Sequence, residues 1–262
     1  MDEPLKEILD RYAEDPTGAD HSLRGLFSGD RQQFLSDALA LLRQSLDSPG
    51  HEALVRLLAE KDLLTGPLCD PSIFPRERAI QVARLGARAQ PMLDAKLARQ
   101  LPELEPEVAE RVLAILDVIA EGQRVVPMLR YLLRDTNPRL RSKAALLIGR
   151  AIRNPDWLEQ QLREADPRVR ANAIQALWGL DVPGVKSQLY LAVKDHNLRV
   201  AVNALVGLYK LGDVVCLPRL HQLAASPAPA ARAAAAWAMG ETGDARFLPR
   251  LRAMDREPAG QV

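Results

Sequence analysis

The C-terminal two thirds of the chain repeats itself at intervals close to 31 residues, and such a period restricts the possible folds more than any single motif. Four segments align: NPRLRSKAALLIGRAI from Asn137, DPRVRANAIQALWGL from Asp166, HNLRVAVNALVGLYKLGD from His196 and PAARAAAAWAMGETGD from Pro229. Their apolar anchors are Leu140, Val169, Val200 and Ala231, separated by steps of 29, 31 and 31 residues. A weaker copy is anchored at Val108, and a still weaker one begins at Asp70. No stretch alternates with period two, so no sheet is expected.

Each copy reads as a pair of helices. Asp166-Pro167 and Asn137-Pro138 are helix starts: the side-chain oxygen caps free N–H groups, and proline fits the first turn. Apolar residues then recur at helical spacing, as in Val169, Ala173, Ile174 and Leu177 or Val200, Ala204, Leu205 and Leu208. Gly212-Asp213 and Gly243-Asp244 supply the stop. Pro127, Pro218 and Pro249 open second helices, followed by leucines such as Leu129, Leu132, Leu220 and Leu251. A pair of this kind is apolar on more than one side and can bury itself only against neighbours. The expected fold class is all-α: a right-handed α-solenoid of stacked antiparallel helix pairs, with first helices convex and second helices concave.

The pattern D-P-x-V-R-x-x-A-x-x-A-L, then L-G-D and a second helix opening with P-x-L, resembles HEAT repeats. Asp166 to Leu177, Leu211 to Asp213, Pro218 to Leu220 and Gly243 to Leu251 carry it. The short period is most similar to the bacterial subtype called PBS-lyase HEAT-like repeats. The resemblance is strong over about 137–256, fair over 70–136 and weak before that. It implies that Arg141, Arg170 and Arg232, which recur just after the anchors, join aspartates from the turns in a structural ladder between repeats. Asp135, Asp166, Asp195, Asp213 and Asp244 are available, with Asp166 and Asp195 the expected partners. Ala201 interrupts the series.

The first 65 residues are different. Helices are expected over Leu5–Glu14, Asp30–Asp47 and from Ser48-Pro49 to about Leu64, with a polar stretch at Asp15–Gly29 and a linker at Thr65-Gly66-Pro67. Three regions follow: an acidic segment 1–65 that caps the array as a degenerate repeat or docks separately, a repeat array 66–256, and a disordered tail 257–262. Charge divides in a similar way. Residues 1–70 hold 14 acidic and 7 basic side chains, and residues 71–262 hold 20 acidic and 28 basic. The asymmetry fits an anionic partner, a match between the two parts, or solvated helix faces.

Aligning the second helices gives one row of Arg130, Glu159, Tyr190, His221 and Arg252, and four residues later a row of Arg134, Arg163, Lys194, Ala225 and Arg256. Positions i and i+4 share a helix face, so the rows form a mostly basic stripe, which the family resemblance puts on the concave wall. This stripe is the candidate partner-binding surface.

Catalytic and cofactor signals are missing from the sequence. It contains no phosphate-binding glycine loop, G-x-S-x-G, H-E-x-x-H or paired-cysteine motif. His51-Glu52 is a lone His-Glu pair, where iron-binding HEAT-repeat hydroxylases use several. Leu54, Leu57 and Leu58 match a groove-binding helix pattern, but core packing is the expected reading. Cys69 and Cys216 form no framework, and Cys216 reads as a core residue. Trp157, Trp178 and Trp237 occupy different repeat positions and make no stacking ladder for bases. The expected role is a non-catalytic cytoplasmic scaffold without cofactor, metal or membrane segment, binding a protein with an acidic surface. Its oligomeric state is left open. The alternatives are nucleic-acid binding through the basic stripe, which the scarce aromatics (4%) disfavour, and a bilin lyase-like enzyme or chaperone subunit.

Overall fold

Helices begin where short polar side chains precede a turn of apolar residues. Asn137, Asp166 and Asn197 each accept the backbone N–H two residues on, at 2.9, 2.9 and 3.1 Å. Pro138 and Pro167 follow at the first helical position, where a missing N–H leaves nothing unsatisfied. Gly212 and Gly243 end their helices with φ of +74° and +66°, a left-handed conformation that residues with a Cβ rarely adopt. The computed structural model describes residues 5–255, and among them the chain is all-α: seventeen α-helices, three 3-10 turns and no strand. The expected tail 257–262 lies outside the described residues. The chain divides into two compact units, Met1–Met128 and Leu129–Val262.

In the first unit, α1 (Leu5–Arg11), α2 (Pro16–Ser28) and α3 (Arg31–Gln44) pack around α4 (Pro49–Glu60). Then come α5 (Thr65–Cys69), α6 (Arg76–Ala89), α7 (Leu93–Gln100) and α8 (Pro106–Ile119), with α4 against α6 and α6 against α8. Two expectations are corrected here. The polar stretch Asp15–Gly29, where no helix is expected, holds α2: Asp15 caps it by accepting the Gly18 N–H at 2.9 Å, and Ala19, Leu23 and Phe27 line one buried face. Thr65-Gly66-Pro67 is not a linker: it starts α5, and Leu64 and Leu68 on either side are fully buried. Leu54, Leu57 and Leu58 are core, at most 2% exposed.

The short helix α9 (Val126–Leu129) leads into a 3-10 turn, Arg130–Arg134. The second unit then alternates longer first helices, α10 (Pro138–Ile152), α12 (Pro167–Ala176), α14 (Leu198–Lys210) and α16 (Pro229–Thr242), with shorter second helices. These are α11 (Pro155–Gln161), α13 (Val185–Ala192), α15 (Cys216–Ala224) and α17 (Leu248–Asp255). The first helices stack in chain order, α10 on α12, α12 on α14 and α14 on α16. Helix α14 shows why this order forms. Val200, Ala204 and Leu208 pack with Ile174, Leu177 and Leu189 on one side, while Val202, Leu205 and Val206 pack with Leu220, Met239 and Phe247 on the other. Fully burying each such aliphatic side chain contributes roughly 1.5–3 kcal/mol, which a lone helix pair cannot realise.

Small residues set the approach between helices. A Cβ built on Gly149 of α10 would lie 2.5 Å from Trp157 Cζ3 and 2.6 Å from the Ala176 Cβ, whereas one on Gly240 of α16 would meet nothing within 4 Å. Alanine suits a helix interior better than glycine by roughly 0.5–1 kcal/mol, so the two positions should respond oppositely. In urea unfolding, Gly240→Ala is expected to stabilise by about that amount. Gly149→Ala is expected to destabilise by about 1–3 kcal/mol through overpacking, despite the same gain in helix propensity.

Candidate functional site

The recurrent arginines hold turns as well as aspartates. Arg141 Nη1 donates to the carbonyls of Asp135 and Thr136 at 2.8 and 2.9 Å, and Arg170 Nη1 to those of Glu164 and Ala165 at 2.8 and 2.9 Å. Arg232 Nη1 does the same at Ser226 and Pro227, both at 2.9 Å. Arg141 and Arg170 then reach forward to the next turn. Arg141 Nη2 pairs with Asp166 Oδ2 at 2.7 Å, and Arg170 binds both oxygens of Asp195 at 2.9 and 3.0 Å. Arg170 is only 5% exposed, and this two-pronged geometry satisfies most of its guanidinium. Where Ala201 replaces the arginine, Ser226 stands in the acceptor's place, and its Oγ keeps only the local task of accepting the Ala228 N–H at 3.2 Å.

The other candidate aspartates serve elsewhere. Asp135 accepts the Asn137 N–H within its own turn at 2.7 Å. Asp213 accepts the Tyr190 hydroxyl and pairs with Lys186 Nζ at 2.9 Å, and Asp244 takes the Tyr209 hydroxyl at 3.1 Å and Arg246. In the first unit, two links of the same kind escaped the sequence reading. Arg111, 7% exposed, donates to the carbonyls of Leu68 and Phe74 at 2.9 and 2.7 Å, and Arg124 Nε donates to both oxygens of buried Asp94 at 2.9 Å. Neither sits at the repeat position of Arg141, so period alone could not find them.

The second-helix rows are at the surface: Arg130, Glu159, Tyr190, His221 and Arg252, and also Arg134, Arg163 and Lys194, are all exposed. Arg256 lies outside the described residues. The α-helical i, i+4 pairing assumed for Arg130 and Arg134 is corrected, because that segment is a 3-10 turn, where residues four apart point about 120° away from each other. Arg163 and Lys194 lie just past the ends of α11 and α13, where a cation complements the helix dipole. Arg163 also pairs with Glu159 at 2.6 Å, an exposed pair contributing less than about 1 kcal/mol. His221 stacks near Phe247, with ring centroids 5.2 Å apart. Polar links join successive second helices. Gln188 Nε2 donates to the Pro155 carbonyl at 3.1 Å, and Arg250 donates to that of Ala224.

Chemistry-bearing residues elsewhere have structural partners. His51 Nδ1 lies 2.6 Å from Ser48 Oγ at the start of α4, and burial holds its imidazole below the ordinary value. Cys216 is fully buried, which pushes its thiol up to about 11. Among the described residues no three His, Cys, Asp or Glu side chains are grouped to hold a metal ion, and no helix is long and apolar enough to cross a membrane. Trp178 and Trp237, at different repeat positions, pair across two first-helix repeats with centroids 6.2 Å apart, a contact that comparing equivalent positions did not reveal. Comparison with known protein families finds no match to this chain, and comparison with curated proteins finds none either.

The carboxylates tie stability to pH. Burial alone would raise Asp195, but hydrogen bonds from Arg170 and the Asn197 N–H leave it below the ordinary carboxylate range. Asp166 is likewise lowered, burial being outweighed by the Arg168 N–H and Arg141. Asp213 is lowered to about 2 by Tyr190, Lys186 and the Val215 N–H. A depressed folded-state value contributes stability above the unfolded value of about 3.9 and loses it as pH falls through the folded one. Thermal unfolding should therefore show stability falling between about pH 4 and about pH 2, with a shallower fall in Asp213→Asn. At neutral pH, Arg170→Met should lower stability by about 3–5 kcal/mol, since it strands a partly buried carboxylate and two turn carbonyls.

Proposed function

We propose that the chain is a non-catalytic scaffold of the short-period HEAT-like type, a right-handed α-solenoid that binds a protein partner with an acidic surface through its second-helix face. The observation that carries this reading is a division of labour between side chains of one repeat. Buried arginines and aspartates are consumed in holding turns and neighbours, as Arg170 and Asp195 are. The second-helix segments, with Arg130 in its 3-10 turn, instead leave Arg130, Glu159, Tyr190, His221 and Arg252 exposed at one aligned position in successive repeats. A row of exposed side chains on a rigid stack is a recognition surface that needs no precise catalytic placement. Its cations favour association with an acidic face and set the salt dependence of the encounter.

The test compares the full chain with a variant carrying Arg130→Glu, Arg134→Glu and Arg252→Glu, both immobilised and exposed to extract from cells that contain the protein. We expect unchanged helicity and a Tm close to that of the parent, because all three side chains are exposed. The variant should retain at least tenfold less of the partners identified on the parent by mass spectrometry, with the loss largest at low salt. Equal retention of the same partners would refute the proposal, and loss of helicity would show that the stripe is structural.

A further inference from the structure

Two cations in the first unit share one aromatic ring and have no carboxylate. Helices α2 and α3 meet through Phe27 and Phe34, whose rings pack edge to face with centroids 5.4 Å apart. Over the Phe27 ring stand the Arg31 guanidinium, 5.4 Å from the centroid, and the Lys61 ammonium, 5.6 Å from it. The two arrive from different elements. Arg31 opens α3 behind the capping residue Asp30. Lys61 ends α4, where Asp62 turns the chain in a left-handed conformation (φ +60°) and the Leu63 N–H returns to the Leu58 carbonyl at 2.9 Å. That helix stop fixes where Lys61 and Leu63 stand.

Among the described residues neither side chain joins an ion pair, although the carboxylates beside them in sequence are all engaged elsewhere. Asp30 accepts the Gln32 and Gln33 N–H groups at 3.1 and 3.0 Å. Glu60 pairs with Arg24 at 3.1 Å, and Asp62 pairs with Lys96 at 2.6 Å and accepts from Gln90 at 2.8 Å. A cation over a phenyl ring is held in place and keeps its full charge. Two like charges at one ring also repel, so the arrangement gains from an anion. The acidic excess of residues 1–70 does not cancel this locally, since at physiological salt exposed charges beyond about 8–10 Å are largely screened.

Arg31 and Lys61 line a single groove of about 460 Å³ with Phe27, Gln32, Leu35 and Leu63, and no carboxylate is among its lining residues. Leu35 and Leu63 are half-buried there, and Phe27 is 8% exposed. This lining selects the occupant. A cation would face Arg31 and Lys61. A small inorganic anion would meet the charges and leave both leucines facing water. A neutral apolar group would cover the leucines and take water from the cations without replacing it. An anion joined to an apolar body satisfies both halves of the lining. The groove is open to solvent, whereas a small-molecule site encloses most of its ligand, so the occupant is part of a longer chain.

We propose that this groove docks a segment of a protein partner in which acidic residues flank a bulky apolar one. The apolar side chain rests against Leu35, Leu63 and the Phe27 ring, and the carboxylates pair with Arg31 and Lys61. The site lies wholly within the first unit and does not depend on the second-helix stripe.

Fluorescence anisotropy on the full chain tests this with a labelled, end-capped peptide carrying a central leucine between glutamates. Two counterparts replace the glutamates by glutamine or the leucine by glycine. The parent peptide should bind at least tenfold more tightly than either. Arg31→Gln with Lys61→Gln should weaken its binding at least tenfold while helicity is kept, because both side chains are exposed. Leu35→Gln should weaken it similarly and decides the matter if the double variant does not fold. Arg31→Glu with Lys61→Glu should in turn prefer a peptide with lysines in place of the glutamates, a reversal that a merely structural role would not produce. The variant with Arg130, Arg134 and Arg252 reversed should bind the parent peptide unchanged, which separates this site from the stripe. Equal affinity for the glutamate and glutamine peptides, binding of neither at millimolar concentration, or undiminished binding by the folded double variant would overturn the proposal. Loss of binding in the stripe variant would also overturn it, as would octanoate competing as strongly as the peptide, which would make the groove a site for small amphiphiles.

Discussion

The structure depends on one constraint: a first helix that is apolar on two opposite sides has no stable state except between two others. Helix α14 meets it by giving Val200, Ala204 and Leu208 to one neighbour's core and Val202, Leu205 and Val206 to the other's. Once helices are obliged to stack, their turns line up at regular intervals, and the polar links follow. Arg141 and Arg170 can reach both their own turn and the next because stacking brings those turns within a side chain's length. The ion pairs therefore depend on the apolar stack and refine its register. Buried pairs are expensive to form and more expensive to break, so they specify one arrangement more than they add net stability.

Departures from the repeat differ in what they leave behind. Ala201 and Ser226 lie at the two ends of one absent rung, so neither a buried guanidinium nor a carboxylate is stranded there. The change at Ala230, which stands where Arg199 donates to Asn172 one repeat earlier, is different in kind, because Asn203, the counterpart of Asn172, keeps its amide. In one case the pair is lost together and the structure is quiet. In the other, half of a pair persists, and a buried acceptor is left without a donor among the described residues.

Much of the fold was legible because helix starts, anchors and stops recur in the sequence with the same chemistry. Asn137, Asp166 and Gly243 act in the structure as their types and spacing imply. Asp15-Pro16 is the same kind of start, yet the glycines and scattered polar residues of α2 hide the face made by Ala19, Leu23 and Phe27. Thr65-Gly66-Pro67 has a linker's composition, and its burial comes from tertiary packing of Leu64 and Leu68, which composition does not encode. The arginine rungs could be anticipated as residue types in register. The 3-10 turn at Arg130–Arg134 could not, since an i, i+4 pattern looks alike in sequence whichever helix the backbone adopts. The groove beside Phe27 was invisible for another reason: Arg31 and Leu35 lie far in sequence from Lys61 and Leu63, and only the fold brings them to one ring.

The most direct measurement is native-state hydrogen exchange on the full chain carrying Ala235→Asp, a charge placed at a fully buried position of α16. Stacking by nearest neighbours requires a loss of amide protection that is large in α16, clear in α14 and small in α10. Equal loss of protection in α10, α12, α14 and α16 would mean that one undivided core holds these helices, and the account of neighbour-by-neighbour burial would be wrong.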